Sequence, residues 1–338
     1  QGLDILSTCR PGQNITLQHA YCPFDLPWIM SRGLKLFKPR AVILLETELW
    51  PGLLFSCKKS DTEVLLLNAR LNRKSLARYA FFSEFWQALA PDQICAVSEL
   101  EMQRYKLIFK NQQTCCMPNI KFDRCSTQDS PIAYVHNKLS KFIKAQTQFV
   151  VLGSVRKEEE RLLLSTISEL LKKRPMAIVG LFPRHIQRIQ SWCLRLRKNN
   201  IPWVLRSTLD NEYVHPGTVI IWDCFGELEP AYALARTAYV GGSLLPLGGQ
   251  NFLEPLSQGV IPCIGPFWDN FAWIGKDILA NGLAHQVSSE KELSNVLVAE
   301  LKRNLSRDKV YSRFREYISS HKGGIAFCCA KINSIFQV

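Results

Sequence analysis

Histidine is scarce in this chain, at six in 338 residues, and acids are outnumbered, with 29 Asp and Glu against 42 Lys and Arg. None of the twelve cysteines forms a C-x-x-C pair, and the histidines are scattered, so zinc-ligand spacing is absent and no metal site is expected. Cys115-Cys116 and Cys328-Cys329 are adjacent pairs, poorly placed to chelate or to bridge one another; free, buried thiols in a reducing cytoplasm are expected. The longest apolar runs, Ala41 to Leu45 and Val64 to Leu67, are strand-sized, far short of a membrane span. No signal peptide, internal repeat, low-complexity segment or nucleic-acid-binding motif is found. The chain opens on Gln1-Gly2-Leu3-Asp4 rather than Met and is expected to be a fragment that begins partway into a domain. The shortage of acids leaves a formal charge of +13, spread along the chain, which favours an anionic surface or a phosphorylated substrate; nucleic acid is not expected as a partner.

What is present is a well-filled α/β pattern. Hydrophobic residues make up 47% and charged residues 21%, enough to fill the cores of two domains. The first half reads as strand Ile15 to His19, helix Pro27 to Phe37, strand Ala41 to Leu45, strand Val64 to Asn68, helix Ser75 to Leu89 with Phe81, Phe82, Phe85 and Trp86 on its apolar side, strand Ile94 to Val97 and helix Glu99 to Ile108. A polar stretch from Ser126 to Lys144 follows. Strands then recur at Phe149 to Leu152, Met176 to Leu181, Thr218 to Trp222, Thr237 to Val240 and Ile261 to Ile264, with helices Glu158 to Lys172 and Ile186 to Lys198 among them. Such alternation predicts parallel sheets in a doubly wound fold. Two Rossmann-like domains facing a cleft are expected, at 1–125 and 149–338, joined by a linker at 126–148.

The segment from Gly241 to Pro255 carries the clearest chemistry. The strand Thr237 to Val240 runs into Gly241-Gly242-Ser243, and Gly248-Gly249-Gln250 precedes a helix start. Backbone that bare lets a phosphate approach amide N–H groups at a helix N-terminus, and Glu254 could accept from a ribose diol. The pattern is that of a nucleotide-sugar site and not the G-x-G-x-x-G fingerprint. Asn251-x-x-Glu254 equally reads as a capping box, with Pro255 in the first turn, and the two readings are compatible. Further candidates lie beyond the carboxyl ends of strands, where open α/β sheets bind ligands: Glu46 and Glu48, Gly153-Ser154, Pro183-Arg184-His185 and Asp223 to Glu227.

Taken in order, Leu45-Glu46-Thr47-Glu48-Leu49-Trp50-Pro51, Asn68-Ala69-Arg70-Leu71, Asn119-Ile120-Lys121-Phe122-Asp123, Pro183-Arg184-His185, Gly226-Glu227-Leu228 and Gly241-Gly242-Ser243 through Asn251-x-x-Glu254-Pro255 resemble the 3-deoxy-manno-octulosonic acid (Kdo) transferases of lipopolysaccharide synthesis. The resemblance runs from about Tyr21 to about Phe271 and more weakly to the end. It implies a GT-B fold and inverting, metal-independent transfer of Kdo from CMP-Kdo to a lipid A precursor at the cytoplasmic face of the bacterial inner membrane, with no cofactor. It also implies that Pro183, Arg184, Phe225, Gly226, Glu227, Gly242, Ser243, Asn251, Phe252, Leu253 and Glu254 bind CMP, and that Glu46 and Lys121 support the transition state. The segment in which the family carries its general-base Glu is absent from this sequence. Gln250 stands where the family has His, Gly153-Ser154-Val155-Arg156 replaces a Ser-Thr-His type of sequence, and Pro118 precedes Asn119 where Gly is usual.

Two other readings stay open: a GT-B glycosyltransferase using a UDP-sugar, and a non-catalytic nucleotide- or lipid-binding module. Pro27 to Lys38 mixes large apolar residues with cations, which suits either an interfacial helix or an ordinary helix packed on a sheet. Arg70, Arg73, Lys74 and Arg78 are a second basic group, suited to an anionic lipid or to solvent.

Overall fold

The structure, a computed structural model, describes residues 16–110, 112–125, 130–303 and 305–336. Ile15, residues 126–129 of the expected linker and the Lys74 side chain lie outside these; residues 16–19 of the first expected strand have no regular structure. The described residues divide into two compact units, one within Gln1–Ile120 and Gly323–Val338, the other Lys121–Lys322. The division thus differs from the expected one. Residues 130–148 belong to the second unit, and the C-terminal helix Gly324–Phe336 returns to the first.

The first unit holds a parallel sheet, in order β1 (Ala41–Leu45), β2 (Glu63–Ala69), β3 (Gln93–Ala96) and β4 (Gln113–Cys116). Alternate residues of β2 feed opposite faces. Val64 and Leu66 pack with Leu44, Ile94, Tyr105 and Phe109, while Leu65 and Leu67 pack with Cys95, Met117 and the C-terminal helix through Phe327, Ile332 and Ile335. A parallel strand buried on both faces reads as a continuous apolar run, which is what Val64 to Leu67 is. The expected helix Ser75 to Leu89 is two helices, Arg73–Phe81 and Ser83–Ala88, broken at Phe82. The break leaves Phe81, Phe82 and Phe85 exposed, and only Trp86 of the four aromatics reaches the core.

The segment after β1 is anchored by Asp25. Its carboxylate accepts from the amides of Gly52 (2.9 Å) and Leu53 (2.8 Å), the first turn of helix Pro51–Lys59. These amides have no intrahelical partner, and Pro51 at the start has no N–H to satisfy. A Cβ on Gly52 would lie 2.7 Å from the Asp25 carbonyl oxygen, so the close approach requires glycine.

The second unit holds a seven-stranded parallel sheet: β5 (Phe149–Val155), β6 (Ile178–Pro183), β7 (Trp203–Leu205), β8 (Val219–Ile221), β9 (Thr237–Val240), β10 (Pro262–Ile264) and β11 (His285–Gln286), in the order β11-β10-β9-β5-β6-β8-β7. From β5 the chain winds outward through β6 to the edge strand β7, steps back to β8 between them, then crosses to the other side of β5 as β9. The reversal opens a crevice beyond the carboxyl ends of β5 and β9, the topological switch point where such sheets bind ligands. On one face Val150 and Leu152 meet Leu163, Ile167, Trp192 and Leu297; on the other, Phe149 and Val151 meet Phe182, Trp222 and Tyr232. The described cysteines are free, but only in part buried as expected: Cys57, Cys95 and Cys263 are buried, whereas Cys22, Cys116 and Cys329 are exposed.

Replacing Asp25 by Ala removes both acceptors from the helix start. The expected loss is about 1–2 kcal/mol, read from denaturant unfolding; an unchanged midpoint would show that the cap contributes nothing.

Candidate functional site

At the switch point the chain leaves β5 through Arg156 and a short 3₁₀ turn, Lys157–Glu159. The Glu159 side chain is fully buried. It accepts the Tyr239 hydroxyl at 2.5 Å and the amides of Gly242 (2.6 Å), Ser243 (3.1 Å) and Leu244 (3.2 Å), as well as the Arg156 amide at 3.3 Å. A buried carboxylate is costly unless its lone pairs are filled, and here they are. Burial first, and the Glu159 charge second, raise the Tyr239 hydroxyl well above its ordinary range, so it stays a donor. Gly242 turns with φ +74°, which lets successive amides converge on one anion.

Gly242 and Ser243, expected to bind CMP, are engaged within the protein. Their amides face an internal carboxylate rather than a ligand phosphate. Ser243 is buried; its hydroxyl donates to the Val240 carbonyl (2.8 Å) and accepts from the Gly265 amide (2.8 Å). Phe252 and Leu253, also expected at the CMP site, pack their side chains into the core around Trp268 and Ile278. Glu159 was missed because Lys157-Glu158-Glu159-Glu160 reads as an ordinary charged helix start.

Asn251 and Glu254 come together, with the Arg184 charge near enough to be felt at Glu254. Arg184 follows β6, its amide donating to the Val155 carbonyl at 2.8 Å and its side chain exposed. Asn251 donates to Glu254 Oε1 at 3.0 Å and accepts the Leu253 amide at 3.2 Å, so it is an Asx turn with an added carboxylate contact rather than the reciprocal capping box. Burial raises the Glu254 carboxyl above the usual range, the Asn251 hydrogen bond opposes this, Glu229 adds to it and the Arg184 charge lowers it.

Glu227 is engaged differently. Arg206 grips it in a forked pair at 2.8 and 3.1 Å, and Trp222 Nε1 donates at 2.8 Å. Burial alone would raise its carboxyl, but the Trp222 and Arg206 hydrogen bonds outweigh that and hold it below the usual range. Its carboxylate therefore secures the loop, and Arg206, which also lies over the Phe142 ring, is the partner the sequence reading lacked. Beside it Phe225 stands 83% exposed, and Pro183 closes β6 half-buried. Gly226, at φ +77°, offers its carbonyl to Lys138 at 3.3 Å.

In the first unit, Glu46 adopts φ +60° directly after β1. Its amide donates to the Leu67 carbonyl, and its carbonyl accepts the Arg70 amide and the Tyr105 hydroxyl, both at 3.3 Å. The left-handed turn is thus pinned to β2, and the half-exposed carboxylate sits 3.9 Å from Arg70 Nη1. Glu101 was not anticipated; burial raises its carboxyl, with Arg70 and Arg104 opposing. Lys121, in the second unit, lies 5.9 Å above the Trp273 ring.

A family profile described as 3-Deoxy-D-manno-octulosonic-acid transferase (kdotransferase) matches residues 7–124. A protein of Haemophilus influenzae named 3-deoxy-D-manno-octulosonic acid transferase is 29% identical over 314 residues, covering 91% of this chain and 72% of the relative. One of the same name from Bordetella pertussis is 27% identical over 312 residues, with the same coverages. Among solved structures, Anabaena HepE in complex with UDP is similar with a TM-score of 0.56 at 12% identity, covering 92% of this chain and 82% of that one. This last likeness is one of fold, an α/β architecture of GT-B type.

Glu159→Ala would strand the Gly242 and Ser243 amides and the buried Tyr239 hydroxyl, and leave the Leu244 amide only the Tyr239 oxygen at 3.3 Å. Each orphaned group costs about 1–3 kcal/mol, so a loss of about 3 kcal/mol or more is expected in denaturant unfolding. A loss below about 1 kcal/mol would contradict the geometry.

Proposed function

We propose that this chain, which is similar over most of its length to Kdo transferases, is itself one and carries Kdo from CMP-Kdo to a lipid A precursor, with inversion at the sugar carbon and without a metal. The observation that supports this reading most is the Asn251–Glu254 pair beyond β9, within reach of the Arg184 charge at the end of β6. A guanidinium and a carboxylate at such a crevice match the two ends of a nucleoside monophosphate, phosphate and ribose diol. Asn251 steadies one oxygen of Glu254, and the ribose hydroxyls donate to the carboxylate. The exposed Phe225 and the turn at Gly226 suit a pyrimidine base, with Pro183 alongside.

The chemistry follows from charge development. The departing CMP gains negative charge, which Arg184 and Lys121 offset, while the sugar carbon becomes oxocarbenium-like. Glu46 supplies the carboxylate that stabilises that carbon or orients the acceptor. For the lipid acceptor the first unit offers Trp28, Leu36 and Phe37 exposed on helix Pro27–Phe37, with Arg32 and Lys35 on the same helix, and Phe81, Phe82 and Phe85 near Arg73 and Arg78. Among the described residues no helix is long and apolar enough to cross a membrane. Such a mixed surface suits peripheral docking on anionic lipid at the cytoplasmic face of the inner membrane.

Calorimetry tests the nucleotide. CMP is expected to bind more tightly than UMP, and Glu254→Ala is expected to weaken CMP about tenfold or more with little change in unfolding. Preference for UMP would point instead to a UDP-sugar enzyme, and unaltered CMP affinity would remove Glu254 from the site. In the full-length protein, Glu46→Ala should keep CMP binding yet cut transfer from CMP-Kdo to a tetra-acylated lipid A precursor about 10²-fold or more, read as product mass. Normal turnover would dismiss Glu46 from the mechanism.

A further inference from the structure

The loop amides that would ordinarily cradle a phosphate at this switch point are held by Glu159. A phosphate arriving there must therefore find its positive partners on side chains. Arg184 is one, at the end of β6. The second is Arg156, at the end of β5, which the sequence reading did not place in the site. A Cβ built on Gly242 would lie 3.5 Å from Arg156 Cγ and 3.5 Å from Gln250 Cγ, so both stems pack over the glycine turn. Val155 pairs with Pro183 across β5 and β6, and the Arg184 amide donates to the Val155 carbonyl. The two arginines thus leave neighbouring strand ends side by side. The Arg156 side chain is 31% exposed, and its recorded ion pair is with Glu158 at 3.9 Å, long and near the surface. Such a pair is weak and yields readily to a dianion.

We propose that Arg156, flanked by Gln250, is a binding residue for the phosphate of the donor nucleotide, forming with Arg184 a two-arginine clamp over Gly242. The inference rests on the donor reading above and extends it to a side chain outside the expected set. Gly242 is glycine here because its turn at φ +74° would strain a side chain, and the stems of Arg156 and Gln250 pack over it. Gln250, an uncharged amide, contributes a donor without adding charge.

Calorimetry with CMP and with cytidine, the latter at millimolar concentration, separates phosphate recognition from nucleoside recognition. Arg156→Gln should weaken CMP about tenfold or more and leave cytidine affinity unchanged, and Arg156→Lys, which keeps the charge but loses the fork, should fall between. Equal CMP affinity in wild type and Arg156→Gln overturns the assignment. So does an equal loss of CMP and cytidine affinity, which would mark general damage to the loop. A wild-type protein that binds neither compound overturns the donor reading itself, and this inference with it.

Discussion

Glu159 is the constraint on which the second unit's functional end depends. A carboxylate is placed where no water reaches it, at the point where the sheet reverses its winding, and three consecutive amides of the glycine loop together with a buried tyrosine hydroxyl close around it. The interaction joins the segment after β5 to the segment after β9, so the two walls of the crevice are one hydrogen-bonded object. Its energetic weight lies in its completeness: a fully satisfied buried anion stiffens its surroundings, whereas the same anion short of a donor would destabilise them.

The consequence for chemistry is a division of labour between backbone and side chain. The amides shape the loop, and the charges proposed to meet a ligand are those of Arg184, Arg156 and Glu254, which stand on the ends of β5 and β6 or on the short helix after β9. Glu227 follows the same logic one loop away, where Arg206 and Trp222 immobilise it and leave Phe225 projecting beside it. In the first unit Glu46 is presented by a left-handed turn that β2 and Tyr105 hold in place. In each of these places a buried partner holds the backbone that carries the candidate residues.

Much of this was legible in the linear sequence, for identifiable reasons. The two parallel sheets announced themselves because strands buried on both faces are continuous apolar runs, as at Val64 to Leu67 and Phe149 to Leu152. The glycine loop was locatable because glycines directly after a strand have few structural uses. What those amides bind was not legible, since Glu159 lies 83 residues before Gly242 and sits in a run of charges that resembles a solvated helix start. Ser243, Phe252 and Leu253 looked like ligand contacts by position in a motif, yet motif position does not reveal which way a side chain points. The aromatic run Phe81, Phe82 and Phe85 has helical spacing that predicts a buried face; the break at Phe82 turns it outward. The return of helix Gly324–Phe336 to the first sheet joins residues as far apart as Gln93 and Lys331, a pairing no local pattern encodes.

A crystal structure of the CMP complex bears most directly on the central claim. The account predicts phosphate oxygens within hydrogen-bonding distance of the Arg156 and Arg184 guanidinium groups, with the amides of Gly242 and Ser243 still donating to Glu159. A phosphate seated on those two amides, with the Glu159 carboxylate displaced from them, would contradict it.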